Sequence, residues 1–270
     1  MSHAGMGGND RLVTMHVGEV SELWRFPVKS MRGDRLAATA VTERWGFPGD
    51  RGWALRDEQT GHLTNAKKLG SLLQFHARYL AEPVADGAPP VEITLPGGRK
   101  VRSNDDNDIN DALSAAAGRC VSLWPRQSPD SQAHDRRGCL SEAELSGTYF
   151  DAMPLSLATT SALGALQGAV PDSVIDPRRF RKNIIVSTGS GSGGFPEFDW
   201  VGRRLQLGEV TCEVTVRIPR CVMVNLPQAE LPHDGSVLKT LAARTGMDFG
   251  VYLRVIEPGR ISKGDEVHLH

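Results

Sequence analysis

Val210-Thr211-Cys212-Glu213-Val214-Thr215-Val216-Arg217-Ile218-Pro219-Arg220-Cys221-Val222-Met223 is the stretch on which the reading turns. Val210, Cys212, Val214, Val216 and Ile218 alternate with Thr211, Glu213, Thr215 and Arg217, the period-two pattern of a strand with one buried face. Pro219 has no backbone donor for a ladder, so the strand is predicted to end there and the chain to turn out of the sheet at Arg220 and Cys221. The two cysteines therefore separate. Cys212 lies on the apolar face and reads as a small core residue. Cys221 lies beside Arg220 and close to Arg217, a setting that suits a thiolate acting as nucleophile or soft-metal ligand. The alternative is that Cys221 fills a second core.

Outward from this stretch, the whole chain sets bounds. Its 270 residues suit one large domain or two intimate ones, and a formal net charge of −1 offers no bulk attraction to nucleic acid or an anionic membrane. A small-molecule or anionic-cofactor pocket fits better. Residues 1–13 are polar and Gly-rich and read as a tail, neither signal peptide nor membrane span, which makes the cytoplasm the expected location. Four cysteines, at 120, 139, 212 and 221, form no C-x-x-C pair and no disulfide or zinc framework.

Strands are predicted at Val17 to Trp24, Leu36 to Val41, Trp53 to Arg56, Leu72 to Leu80, Val91 to Leu95, Lys100 to Arg102 and Cys120 to Trp124. Further strands fall at Leu155 to Ala158, Ile184 to Val186, Phe249 to Glu257 and Glu266 to Leu269. Helices are predicted at about Asp106 to Ala117, stopped by Gly118, at Ala162 to Gly168, and at Ser236 to Arg244, stopped by Gly246. Pro125 to Gly147 is polar and poor in large apolar groups, a linker or crossover that carries Cys139. Many short strands and few helices argue for barrel-like β structure over a doubly wound sheet.

Several strand ends carry groups that could grip an anion: Lys29 and Ser30 after Pro27, Arg51 at the entrance to Trp53, and the cations of Arg178-Arg179-Phe180-Arg181-Lys182-Asn183 before Ile184. Thr159 joins a strand to a helix N-terminus, where free backbone donors suit an anion. Each alone also reads as ordinary solvated charge or, for Thr159, as a helix cap. Gly189, Gly191 and Gly194 spell G-x-G-x-x-G, but no helical stripe follows, so a dinucleotide fingerprint is rejected and a flexible loop expected.

Pro27-Val28-Lys29-Ser30, Asp50-Arg51, Phe180-Arg181-Lys182-Asn183, Phe195 to Trp200, Arg220-Cys221, Glu257-Pro258-Gly259 and Lys263-Gly264-Asp265 occur in an order that resembles the MOSC-domain proteins with a MOSC N-terminal β-barrel domain. That group includes the mitochondrial amidoxime-reducing proteins, and the likeness spans about residues 16–269. It implies an α+β, mainly β fold: an N-terminal β-barrel domain over 14–126, a linker over 127–147, and a MOSC β-barrel domain with a few short helices over 148–270. It also implies a molybdenum cofactor, a pterin whose dithiolene holds molybdenum. Cys221 would be the metal ligand and catalytic residue, with Lys29, Ser30, Arg51, Thr159, Arg181 and Asn183 holding pterin and phosphate.

The chain departs from the family pattern at Ile218 and Pro219, which stand where Cys and Ser are frequent, at Val224-Asn225 in place of a threonine pair, and at Lys182, where the family has Pro. The activity implied is reduction of N-oxygenated small molecules such as hydroxylamines or amidoximes, with electrons from a separate donor protein. The rival functions are a sulfur carrier or sulfurtransferase using a Cys221 persulfide, and a cofactor carrier without turnover.

Overall fold

A computed structural model describes residues 14–84, 87–105, 108–126, 148–189 and 193–270. The expected tail (1–13), linker (127–147) with Cys139, and centre of the glycine loop (190–192) lie outside them, as do the first residues of the helix expected from Asp106.

The alternating stretch forms strand β12 (Val210–Pro219), with Val210, Cys212, Val214 and Ile218 buried as the pattern requires. Its neighbours are β11 (Arg204–Leu207) and β13 (Asp248–Glu257), both antiparallel. From β13 the ladder continues through β9 (Leu155–Thr159) and β10 (Ile184–Ser187) to β1 (Met15–Arg25). From β11 it runs through β15 (Glu266–Leu269) to the same β1, so seven strands close on themselves. Closure leaves no unpaired edge in the ring, and its interior is filled by Leu23, Leu157, Ile184, Val214, Leu253 and other apolar side chains shut off from solvent. Only β9 and β10 run parallel within the ring, because the chain crosses over between them through a helix, α2 (Thr160–Ala169), instead of turning straight back.

The N-terminal half adds small sheets around a second core. β2 (Asp34–Leu36) extends β1, and β4 (Trp53–Asp57) pairs with β8 (Val121–Pro125). β5 (His76–Tyr79), β6 (Val91–Thr94) and β7 (Lys100–Arg102) form a three-stranded meander. Helix α1 (Ile109–Ala117) ends at Gly118, which takes the left-handed conformation (φ 69°) of a helix stop. Val28, Met31, Phe75, Ile93 and Leu113 meet between these elements. A third cluster packs α2 and α3 (Ser236–Thr245) against Phe180 and Phe249.

The two halves share their sheets. β1 belongs by sequence to the N-terminal segment yet closes the C-terminal barrel, and β3 (Ala38–Val41) pairs with β14 (Gly259–Ser262). The sequence missed β14, whose four residues put only Ile261 fully inside and so carry no alternation. It also read Leu72 to Leu80 as one strand. The first part is a 3₁₀ turn, Gly70–Gln74, because adjacent Leu72 and Leu73 are both buried, which a strand cannot do against one core. Among the described residues no helix is long and apolar enough to cross a membrane.

Candidate functional site: a cationic cavity around Cys221

A cavity of about 550 Å³ opens between the two halves. Lys29, Ser30, Arg51, Arg181, Asn183 and Cys221 all line it, so six of the seven expected positions converge. Seven of its lining residues are Lys or Arg (Lys29, Arg51, Lys67, Lys68, Arg181, Lys182 and Arg220), against one carboxylate, Asp151. A second hollow of about 490 Å³ beside Arg25, Arg35 and Arg78 is built differently. Each of its arginines already meets a glutamate: Arg25 with Glu82 at 2.7 Å, Arg35 with Glu22 at 2.9 Å and Arg78 with Glu92 at 2.9 Å.

The backbone delivers the cations at a cost. Ser30 (φ 67°), Arg51 (φ 50°) and Arg181 (φ 53°) all occupy the left-handed region. For residues with a Cβ this is unfavourable by roughly 1–2 kcal/mol each, and such strain gathers where a side chain must be aimed. Surrounding bonds hold each one. Arg51 N donates to Phe26 O at 2.7 Å, Ser30 Oγ accepts from Ala66 N at 3.0 Å, and Arg181 Nη1 donates to Met31 O at 2.6 Å. The Arg181 and Arg51 guanidiniums lie over the Phe26 ring, 4.2 and 5.2 Å from its centroid. A single aromatic face therefore orients two cations.

Lys29 Nζ donates to Asp151 Oδ1 at 2.6 Å and to Tyr149 O at 2.8 Å, which ties strand-end Lys29 to the segment that begins the second half. Lys29, aided by Arg51 and Arg181, holds the Asp151 carboxyl well below the usual carboxylate range. Burial, together with the nearby Arg51, pulls Arg181 down to about 9. Burial likewise lowers Arg220 and, much further, Lys182.

Three buried donors in this wall have no hydrogen-bond partner: Arg181 Nη2, Lys182 Nζ and Arg220 Nε. Buried polar groups are almost always satisfied, and charged ones more so. Donors left free around one cavity are what an anionic guest would complete. Cys221 is half-buried at the same wall, where β12 ends and a 3₁₀ turn, Val222–Asn225, begins. It is neither a core residue nor a fully open one. Among the described residues no group of three or more His, Cys, Asp or Glu could hold a bare metal ion. A metal at Cys221 would have to arrive with most of its ligands already attached, as in a pterin dithiolene.

Four expectations need correction or refinement. Thr159 is fully buried outside the cavity wall: its Oγ1 accepts from Ala162 N at 3.1 Å to cap α2 and donates to Glu197 Oε2 at 2.7 Å. The anion at that strand–helix junction is thus the chain's own carboxylate. Asn183 lines the cavity, but its amide is spent on Trp24 O, Asp50 and Ser156, so it braces the wall instead of offering a free donor. Arg217 is exposed and stacks on Phe198 with 4.4 Å to the centroid, leaving Arg220 as the cation beside Cys221. Lys182 was visible as one cation of a run and as a departure from the family's Pro, with no sign of its burial, and Asp151 and Phe26 carried no sequence signal. Cys212 is core as expected, and burial pushes its thiol up to about 12. Cys120 is exposed. A 3₁₀ turn, Pro196–Trp200, follows the glycine loop, in keeping with the rejected dinucleotide motif.

A closed β-barrel joined to a smaller β-rich half, with a cation-lined cavity and the half-buried Cys221 between them, defines the class of protein. The chain matches the MOSC N-terminal beta barrel domain over residues 17–122 and the MOSC domain over residues 144–268, and it belongs to the MOSC-domain proteins built this way. It is 24% identical to "Mitochondrial amidoxime-reducing component 1" of Mus musculus, over 94% of this chain and 82% of that protein. It is 26% identical to "Mitochondrial amidoxime reducing component 2" of Rattus norvegicus, over 93% of this chain and 83% of that one. The crystal structure of the YUAD protein from Bacillus subtilis superposes with a TM-score of 0.48 at 13% identity, covering 96% of this chain and 97% of that chain.

Proposed function

We propose that this chain binds a molybdenum cofactor through Cys221 and the surrounding cations and reduces N-oxygenated small molecules. The observation that carries the reading is the convergence of Lys29, Ser30, Arg51 and Arg181, whose buried Nη2 has no partner, on one cavity with Cys221 in its wall. The names of the relatives supply the reaction class: amidoxime reduction is what those proteins are called after.

The residues present fit such a group. Lys29, Ser30, Arg51 and Arg181 would hold its phosphate and pterin, since guanidinium forks and ammonium groups match oxyanions. Cys221 would supply one thiolate to the metal, and Asn183 would keep the wall in place through Asp50. When bound, the cofactor would supply a redox-active metal, the two-electron chemistry that reduction of an N–O bond requires. The overall change, R–NHOH + 2 e⁻ + 2 H⁺ → R–NH₂ + H₂O, needs an electron-donor protein, and the cavity residues would orient the N–O group. We also assign the protein to the cytoplasm.

The test is elemental and pterin analysis of protein made in a host that synthesises the cofactor, with reduction of an amidoxime by a reduced dye. Near-stoichiometric molybdenum, lost on Cys221→Ala together with turnover, is the expected result. Metal-free wild type with a labile sulfur adduct on Cys221 would instead identify a persulfide carrier. Loaded protein that turns nothing over would identify a cofactor carrier.

A further inference from the structure

Lys182 is a buried lysine in the lining of the cavity. It is 2% exposed, among the largest fully buried side chains, and its Nζ has no hydrogen-bond partner. The fold nonetheless makes room for it. Gly250, in barrel strand β13, has φ +74°, and a Cβ there would lie 2.8 Å from Lys182 Cε and 3.1 Å from Nζ, as well as 2.4 Å from Leu157 O. A strand glycine is unfavourable for folding and here leaves room for the end of Lys182, a residue of the cavity lining.

The charges around Lys182 do not neutralise it. Arg220 and Arg51 act on it as like charges, and Glu197 and Asp248 act in the opposite sense without forming an ion pair. Glu197 is itself fully buried, its Oε2 taken by Thr159 and its Oε1 partnerless. A lysine with no internal counterion, on the wall of a cavity that already holds six other cations and one carboxylate, exceeds what one phosphate requires.

We propose that Lys182, with Arg220 Nε, forms a subsite for a second compact anion, a carboxylate or oxyanion borne by the substrate, distinct from the cations that would hold the cofactor. The preferred substrates of the cavity are then N-oxygenated compounds that carry a negative group, and neutral ones are the poorer ligands. This rests on the cofactor reading above for the word substrate, but the subsite itself does not.

The experiment titrates full-length protein, cofactor-loaded and cofactor-free, with acetate and with inorganic phosphate at constant ionic strength, following heat release and melting temperature. Wild type is compared with Lys182→Met, which keeps the length of the stem and removes the charge. We expect the loaded wild type to bind at least one of the two anions, and Lys182→Met to weaken that binding roughly 10- to 100-fold, the range of one charge-assisted hydrogen bond. Metal and pterin content of Lys182→Met should match wild type, and its anion-free melting temperature should rise, because an unsatisfied buried amine is replaced by an apolar side chain. Unchanged anion affinity in the variant, or no anion binding by wild type, overturns the proposal. So does loss of cofactor from Lys182→Met, which would make Lys182 a cofactor ligand. If wild type never loads cofactor, the function proposed above fails, while the cofactor-free titration still decides the subsite. Should Lys182→Met not fold, Lys182→Gln is read by the same criteria.

Discussion

Asn183 Nδ2 donates to Asp50 Oδ2 at 3.0 Å, across the boundary between the two halves of the chain. Asp50 is 1% exposed, its other oxygen accepts from Phe26 N at 2.8 Å, and it forms the ion pair with Arg51. One buried carboxylate therefore fixes an arginine of the first half, an asparagine of the second, and the backbone beneath the Phe26 ring. Asp50→Ala should remove all three constraints and leave Arg51 unpaired. A loss of about 3 kcal/mol in denaturant unfolding is expected, typical of breaking a buried pair on one side, with loss of cofactor from the folded fraction. A stable variant that loads normally would show the network to be incidental.

Left-handed residues give a cleaner comparison. Met247 (φ 78°) follows the helix-stop glycine, Gly246, and is 44% exposed, so nothing is gained from its strain at the cavity. Met247→Gly should stabilise the fold by up to about 1 kcal/mol, the left-handed penalty less the entropy of a new glycine. Arg181→Gly relieves the same backbone strain but should lower cofactor retention, since its guanidinium is the group delivered. Chemical denaturation and molybdenum content of the two variants separate strain that serves the cavity from strain that does not.

The barrel was legible because Val210 to Ile218 and the shorter apolar runs at 155–158, 184–186 and 249–257 alternate or stay apolar at strand length. Its closure was not, because nothing in Met15–Arg25 says that this strand pairs with Ile184–Ser187 on one side and Glu266–Leu269 on the other. The site shows the same division. Lys29, Arg51 and Arg181 come from three distant segments, and no local pattern unites them; the ordered landmarks of the family did so. Thr159 failed because a threonine before a helix serves equally as cap or ligand, and here the cap won. Arg217 failed because it sits on the opposite face of β12 from the core and reaches Phe198 instead. Lys182 stood out in the sequence only as a cation where the family has Pro, since its significance lies in the missing partner.

Glu197 gives the pH dependence. Burial pushes its carboxyl up, more than the Thr159 hydroxyl and Lys182 pull it down. A carboxyl raised in the folded state binds its proton more tightly there than in the unfolded chain. Its effect on stability is therefore unfavourable as pH rises from the ordinary carboxylate range through the folded value, and absent below it. Glu197→Gln is a neutral isostere that keeps an acceptor for Thr159 Oγ1. Its melting temperature should fall less than that of wild type between pH 5 and pH 8, and the two curves should converge toward acid. Parallel curves across this range would mean that Glu197 is fully ionised throughout.

Arg179 positions the cysteine turn without touching the cavity. It is 2% exposed and has no carboxylate partner; its guanidinium donates to Val174 O at 2.9 Å, Val224 O at 3.2 Å and Pro232 O at 2.9 Å. Val224 lies in the 3₁₀ turn that starts at Cys221, so this fork pins the turn to the strand-entrance segment Pro177–Arg179. Arg179→Met should leave three carbonyls without donors and cost about 3 kcal/mol or more, at roughly 1–3 kcal/mol for each unsatisfied group. A purely structural role ends there. A positioning role goes further: at a temperature where the variant is still folded, alkylation of Cys221 by iodoacetamide should quicken, and molybdenum retention should fall. Arg179→Lys, with one flexible ammonium in place of a planar fork, should recover part of the stability but little of the retention, because an ammonium on one stem cannot span three carbonyls in fixed directions. If both variants lose stability while Cys221 keeps its wild-type alkylation rate, the turn is held by Val224 N bonding to Cys221 O at 3.2 Å and by its own packing, and Arg179 is a staple of the third core alone.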